Sequence, residues 1–270
     1  MQTTLGSKLV YESFQNNMLL STFDIIIPAY NEENRIKPVL DEVSSFIYKN
    51  NLSWNVIVSI DGNDNTFNIV KDYSKKFNFI KGIKNDGRNG KGKAIKNALN
   101  FVTSKYVFLM DADNSMQFYN IINTIKFLDD RYKIILFKRY NKENKIPFIR
   151  RIISRGFNFM LRSILKLNVS DTQTGYKIID SNMFKKAMNK VTVTNTFFDV
   201  ALLYYLKKMD VKITEIPVNY LHNENSKFHA LGEIIGQGSS LIAFRIRQSR
   251  IFKYVPNTMI LLYYRIFRWI

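Results

Sequence analysis

The sequence predicts an α/β fold with one mostly parallel sheet covered by helices on both faces. Short runs of continuous Val, Ile, Leu and Phe alternate with longer segments of helical periodicity along the first half of the 270-residue chain. Successive runs also end in polar or acidic residues, as strands do when they deliver side chains to the rim where such sheets bind ligands.

The elements follow in order. "FDIIIPAY" (23–30) reads as a buried strand stopped by Pro28, and Ile36, Val39, Leu40, Val43, Phe46 and Ile47 give helical spacing over 36–49. "NVIVSI" (55–60) is a second strand, 66–77 a helix and 79–83 a short strand. The loop "NDGRNGKGK" leads to a helix from Ala94 to Val102, and "YVFLMD" (106–111) is the next strand. Asn31-Glu32, Asp61 and Asp111/Asp113 close three strands and share one rim. Beyond residue 130 come a strand at 133–138, a basic helix at 149–166, a polar turn at 170–177, a helix at 196–208 and a strand at 212–221. The last forty residues carry no strand signal and interleave basic with aromatic residues, with Pro256 as a break. The organisation is one domain over 1–228 and a tail over 229–270.

Composition narrows the chemistry. With no cysteine, a disulfide framework, a thiolate zinc site and a cysteine nucleophile are excluded, and a reducing compartment fits. Two histidines, His222 and His229, are too few for a histidine-rich metal centre. No apolar run reaches about 18 residues, so no transmembrane helix is predicted. The N-terminus lacks a signal-peptide pattern, and the protein is expected on the cytosolic side. The formal net charge is +18 and uneven: 131–190 holds 15 Lys/Arg against 3 Asp/Glu, and 229–270 holds 6 against 1. Such a surface calls for an anionic partner: nucleic acid, a phosphorylated substrate or an anionic membrane.

Two motifs carry chemistry. In "FLMDADNS" (108–115) Asp111 and Asp113 follow a buried strand, where two carboxylates can share Mg²⁺ or Mn²⁺ and leave positions for substrate phosphate; the plainer reading is an acidic loop or helix cap. "GRNGKGKA" (87–94) nearly matches a phosphate-binding P-loop, but Ala94 replaces the required Ser or Thr and the motif follows the third strand. What remains is a basic glycine-rich turn entering a helix, suited to holding phosphate by backbone N–H and Lys91, or else a solvated turn.

"PAYNEE" (28–33), "IDGND" (60–64), "RNGKGKA" (88–94) and "MDADNS" (110–115) occur in the order found in inverting GT-A glycosyltransferases. "RRIISRGFN" (150–158), "DTQTGYKI" (171–178), "FFDVALLYYL" (197–206) and "EIPVNYLHNENSK" (215–227) resemble the dolichyl-phosphate glucosyltransferase and dolichyl-phosphate mannose synthase family. The resemblance covers residues 23–228 and implies a GT-A, Rossmann-like domain. By that resemblance Pro28, Tyr30 and Glu32 border base and ribose, Asp61 accepts from the base, and Arg88 and Lys91 lie near the nucleotide. Asp111 and Asp113 hold Mg²⁺ or Mn²⁺ on the diphosphate. Arg139 contacts acceptor phosphate, Arg151 and Arg155 fall in the matching basic segment, Gln173 and Lys177 belong to the sugar and acceptor side, and Ser226 and Lys227 form a lid-like pair near the diphosphate.

Three departures bear on this. The family commonly carries two adjacent aspartates where this chain has Ile60-Asp61, in a loop one residue shorter. Ala201 replaces a family glutamate. Ser115 replaces the glutamine of mannose synthases, which favours the glucosyltransferase branch.

The implied reaction moves a hexose, glucose favoured, from a nucleotide sugar to a polyprenyl or dolichyl phosphate with inversion to a β linkage. UDP-glucose is the favoured donor, and GDP-mannose stays open. A phosphate acceptor needs no strong base, because its second pKa is near 6. A hydroxyl acceptor such as a lipid-linked saccharide wants a carboxylate, and Asp171 or Asp199 is the candidate. Two further readings stay open, a catalytically dead relative and a basic nucleic-acid-binding protein. The latter explains the charge but not the acidic rim. Leu241, Phe244, Ile251, Phe252 and Val255 against Arg245, Arg247, Arg250 and Lys253 predict an amphipathic tail lying in a membrane interface; the alternative is an ordinary helix packed on the domain.

Overall fold

Alternate residues of each strand bury on opposite faces of the sheet, and this builds two cores. Ile25 and Ile27, Val56 and Val58, Phe108, and Ile135 and Phe137 face one cluster, while Ile26, Ile57, Val107 and Leu109, and Ile134 and Leu136 face the other. The structure is a computed structural model that describes residues 21–113, 115–122, 133–140, 148–220, 230–249, 254–256 and 258–259.

The elements are β1 (Phe23–Tyr30), α1 (Ile36–Lys49), β2 (Asn55–Asp61), α2 (Thr66–Lys76), β3 (Ile80–Lys84) and α3 (Lys91–Ala98). A 3₁₀ turn (Leu99–Phe101) precedes β4 (Tyr106–Leu109), α4 (Phe118–Ile122), β5 (Ile134–Tyr140) and α5 (Phe148–Leu165). There follow β6 (Lys177–Asp180), α6 (Ser181–Met188), α7 (Phe198–Lys207), β7 (Ile213–Asn219) and α8 (Ala230–Arg247). Among the described residues seven strands lie in the order β3-β2-β1-β4-β6-β5-β7, and of these only β6 runs antiparallel to its neighbours. The mostly parallel sheet with helices on both faces is thus the observed architecture. α1 and α2 cover one core, and α3, α5, α6 and α7 the other.

Several local expectations shift. Pro28 does not stop β1, which continues to Tyr30 in register with Asp61 of β2. On its other side β1 pairs with β4 only as far as Ile26 and Leu109. The Ile26 carbonyl points at β4, where Met110 N–H reaches it, so by strand alternation the Pro28 nitrogen faces the same way, beyond the last pair. A missing N–H costs nothing there. β6 and α6 fall in and after a stretch expected to be a polar turn, with the Asp180 carboxylate capping α6 by accepting from the N–H groups of Asn182 and Met183.

The segment expected as a tail is in part a wall of the domain. On α8, Leu241 and Phe244 are buried, and the Phe244 ring packs edge-on against Tyr204 (5.1 Å) and near Phe197 (5.6 Å). Ile242 and Ile246 stay exposed on the same helix. Ile251, Phe252, Arg250 and Lys253 lie outside the described residues. No helix among the described residues is long and apolar enough to cross a membrane.

Candidate active site

In an open α/β sheet, ligands bind past the carboxyl ends of strands where the strand order reverses. That point here lies between β1 and β4, and a cleft of about 610 Å³ opens there. Its floor is Pro28–Tyr30 from β1, Asp61 from β2 and Asp111–Asp113 beyond β4. The glycine-rich turn supplies Arg88, Asn89, Gly90, Lys91, Lys93 and Ala94, and Thr194–Thr196 close the far wall.

The β2–β1 side of the cleft is suited to a nucleoside. Tyr30 is half-exposed, and the Arg88 guanidinium lies 4.7 Å from its ring centroid, an aromatic–cation platform of the kind that stacks a base. Glu32 also lines the cleft, paired with Arg35 at 2.6 Å. Burial lifts its carboxyl above the ordinary value against the pull of Arg35, and the charges of Asp113 and Asp111 add to the rise.

Asp61 is almost fully buried and already well supplied with donors. Its carboxylate accepts from Asn85 Nδ2 (2.9 Å) and from the backbone N–H groups of Asn89 (2.7 Å) and Gly90 (3.0 Å). It pins the glycine-rich turn against the sheet end. The N–H groups of Asn89 and Gly90 thus go to Asp61, those of Lys93 and Ala94 to the Gly90 carbonyl, and that of Gly92 to the Thr194 carbonyl. These five amides are spent on protein, so the phosphate cradle expected of the turn cannot be built from them. Gly90 and Gly92 serve close packing instead: a Cβ on either would meet the Thr194 or Val193 carbonyl oxygen at 2.5 or 2.4 Å.

At the β4 end stand Asp111 and Asp113. Asp113 accepts from Ser115 N–H at 3.0 Å, which fixes its rotamer, and Asp111 is one-third exposed. Gly175, just before β6, backs onto Asp111 so closely that a Cβ there would lie 1.9 Å from the carboxylate. The pair suits a hard divalent cation that arrives with phosphate oxygens, since Mg²⁺ commonly takes one or two carboxylates and completes its shell from substrate and water. No group of three or more His, Cys, Asp or Glu positioned to hold a metal occurs among the described residues. The donor set therefore fits a metal shared with a diphosphate, not one caged by protein alone.

Behind Asp111 runs a chain of charges. Lys91 Nζ lies 3.2 Å from Asp111 Oδ1 and 2.9 Å from Asp199 Oδ2, and Asp199 Oδ1 accepts from Lys177 Nζ at 2.6 Å. Lys177 is fully buried and also donates to the Thr174 carbonyl, so it does not reach the sugar or acceptor side as the resemblance implied. Burial alone would raise the Asp199 carboxyl, but Lys177 and Lys91 hold it below the usual carboxylate range.

Arg139 is placed elsewhere, on β5. Its Nε and Nη2 donate to both oxygens of Asp171 at 2.8 Å, its own N–H donates to Asp171 at 3.1 Å, and its guanidinium lies 5.6 Å from the Tyr220 ring centroid. Asp171 is held below the ordinary aspartate value because Arg139 outweighs the cost of burial. The fork spends two of five N–H donors. Gln173 is partly exposed in the neighbouring turn and does not line the cleft. Arg151 lies in the first turn of α5, Arg155 is exposed one turn further on, and Ser226 and Lys227 fall outside the described residues.

Sequence reasoning missed Asn89, Lys93 and Thr194–Thr196 as cleft residues. The signal for the last was Asn195, whose Oδ1 accepts from Phe197 N–H at the start of α7.

Residues 24–188 match the family described as Glycosyl transferase family 2. The chain belongs to that family. It is a glycosyltransferase, and two curated relatives are dolichyl-phosphate beta-glucosyltransferases. The one from Dictyostelium discoideum is 26% identical over 249 residues, 86% of this chain and 75% of the relative. One from Trichomonas vaginalis is 30% identical over 224 residues, 77% of this chain and 68% of the relative. Among solved structures, Mycobacterium tuberculosis glucosyl-3-phosphoglycerate synthase in complex with Mn²⁺, UDP-glucose and phosphoglyceric acid shares the fold, with a TM-score of 0.61 at 15% identity over 86% of this chain and 83% of that one.

Proposed function

We propose that this glycosyltransferase moves glucose from UDP-glucose to a dolichyl or other polyprenyl phosphate, giving an inverted, β-linked lipid-phospho-sugar. The relatives' activity supports the donor sugar and the acceptor class. The observation that carries the choice of acceptor is that the two spare carboxylates are both committed: Asp199 to two lysines and Asp171 to an arginine. A hydroxyl acceptor needs a free base, whereas a phosphate monoester arrives as its own nucleophile.

Within this reading Tyr30 and Arg88 hold the base, Glu32 borders the ribose, and Asp111 and Asp113 would hold Mg²⁺ or Mn²⁺ together with the diphosphate. A bound divalent cation neutralises the diphosphate and stabilises its departure. Arg139, already oriented by Asp171, keeps unspent N–H donors for the acceptor phosphate. Together these groups screen two anions so that one can approach the sugar carbon bonded to the other.

The membrane surface belongs to the same proposal. On α5, Phe159, Met160 and Ile164 are exposed beside Arg155 and Arg162, and α8, which packs against α5, exposes Ile242 and Ile246 beside Arg245. Exposed apolar side chains among arginines suit an anionic lipid surface, at the depth of the acceptor's head group.

The test incubates the protein, acceptor lipid and radiolabelled UDP-glucose or GDP-mannose with Mn²⁺. A mild-acid-labile glycolipid from UDP-glucose is expected. An acid-resistant linkage would transfer the assignment to a hydroxyl acceptor, and no product from either donor would overturn it.

A further inference from the structure

We propose that Asp199 is a positioning residue: backed by Lys177, it fixes the Lys91 ammonium beside Asp111 as a second, protein-borne cation for the donor's diphosphate. This rests on the nucleotide-sugar reading above and goes beyond it, because it assigns two buried residues that touch no substrate.

Geometry carries the assignment. Lysine is a point charge on a flexible four-carbon stem, so its location in a cleft must be imposed. Lys91 lines the cleft, yet it is tethered from behind by Asp199 at 2.9 Å, and Asp199 is only 4% exposed. Asp199 in turn cannot swing, because Lys177 is 0% exposed and anchored between the Asp199 carboxylate and the Thr174 carbonyl. The Lys91 ammonium has three N–H donors, and Asp111 and Asp199 take two.

The reason for a second carboxylate is electrostatic. Asp111 alone could hold Lys91 in the free protein. A divalent cation drawn to Asp111 adds positive charge next to the ammonium and would drive it away. Asp199 is far enough inside to keep its charge for Lys91, so the lysine holds its place while Asp111 is shared. With both lysines protonated and both carboxylates ionised, the quartet Lys177, Asp199, Lys91 and Asp111 is neutral in sum, which offsets part of the cost of burying Asp199 and Lys177. The arrangement also explains why Asp199, despite standing near the cleft, is not the base: both of its oxygens face lysines.

The experiment titrates the full chain calorimetrically, at fixed Mn²⁺, with UDP and UMP and in parallel with GDP and GMP. For whichever pair the wild type binds, Asp199→Asn should weaken the diphosphate about tenfold and the monophosphate less than about twofold, as loss of one charged contact to the outer phosphate requires. A folding defect alone would weaken both alike. In a Lys91→Met background Asp199→Asn should have no further effect. Should Asp199→Asn fail to fold, Lys177→Met/Asp199→Leu removes the buried pair together, leaves no lone charge, and should give the same selective loss. Unchanged diphosphate affinity, or equal weakening of both ligands, overturns the role of Asp199. Failure of the wild type to bind either diphosphate removes the donor reading, and this proposal with it.

Discussion

Two of the assemblies that tie cations to carboxylates among the described residues differ in what they leave free. At the cleft, Lys177, Asp199, Lys91 and Asp111 form a chain that starts in the core and ends on a partly exposed carboxylate. At the β5 end, Arg139 and Asp171 form a closed fork beside Tyr220, backed by Glu215, which accepts from Ser170 N–H and Oγ at 2.8 and 2.6 Å. The first delivers a lysine and an aspartate to the donor cleft, and the second aims an arginine. In both, a buried carboxylate is spent on orientation and not on proton transfer, as expected of a reaction whose nucleophile is already charged.

The largest effect should come from the open end of the chain. Asp113→Ala removes half of the carboxylate pair, and turnover should fall on the order of a thousandfold, comparable to losing a group that stabilises transition-state charge. Thermal unfolding of the free protein should barely change. Activity retained within tenfold would dissolve the metal role.

Next comes the closed end. Lys177→Met leaves the buried Asp199 and the partly exposed Asp111 with one lysine between them. Breaking a buried pair on one side costs about 3–5 kcal/mol. Arg139→Met should cost less in urea denaturation, since its side chain is 29% exposed. Equal losses would erase the distinction drawn between the assemblies. Gly175→Ala sits between these in stability: the new methyl must push the Asp111 carboxylate, for about 1–3 kcal/mol of overpacking. It should depress Mn²⁺-supported activity more than its stability loss predicts.

What the sequence could disclose follows the same divide. The donor half was legible because its strands are unbroken apolar runs ending in acids, and parallel strands buried on both faces must look so. The chain of charges was not. Lys177 closes a stretch that reads as a polar turn, where the resemblance puts it on the sugar and acceptor side, and its burial is tolerated because Asp199, 22 residues on, returns to it through the fold. That same lysine masks β6, whose four residues give too short an apolar run to register. Gly90, Gly92 and Gly175 looked like turn glycines, but each is required by a neighbour distant in sequence. Close approach leaves no local pattern.

The smallest effect belongs to the outer fork, and pH reveals it. Asp171 is held below its ordinary value by Arg139, so its stabilising contribution is complete above the unfolded aspartate pKa, about 3.9, and is lost as pH falls through the lower folded value. Asp171→Asn keeps the shape and one acceptor but drops the charge. At neutral pH it should cost about 1–2 kcal/mol, the scale of a charge-assisted hydrogen bond. Below about pH 4 the wild type surrenders this advantage while the variant has none to lose, so their urea midpoints should converge. Curves that stay parallel down to pH 3 would mean that Arg139 keeps its orientation without the Asp171 charge, and that the two assemblies do not work on one principle.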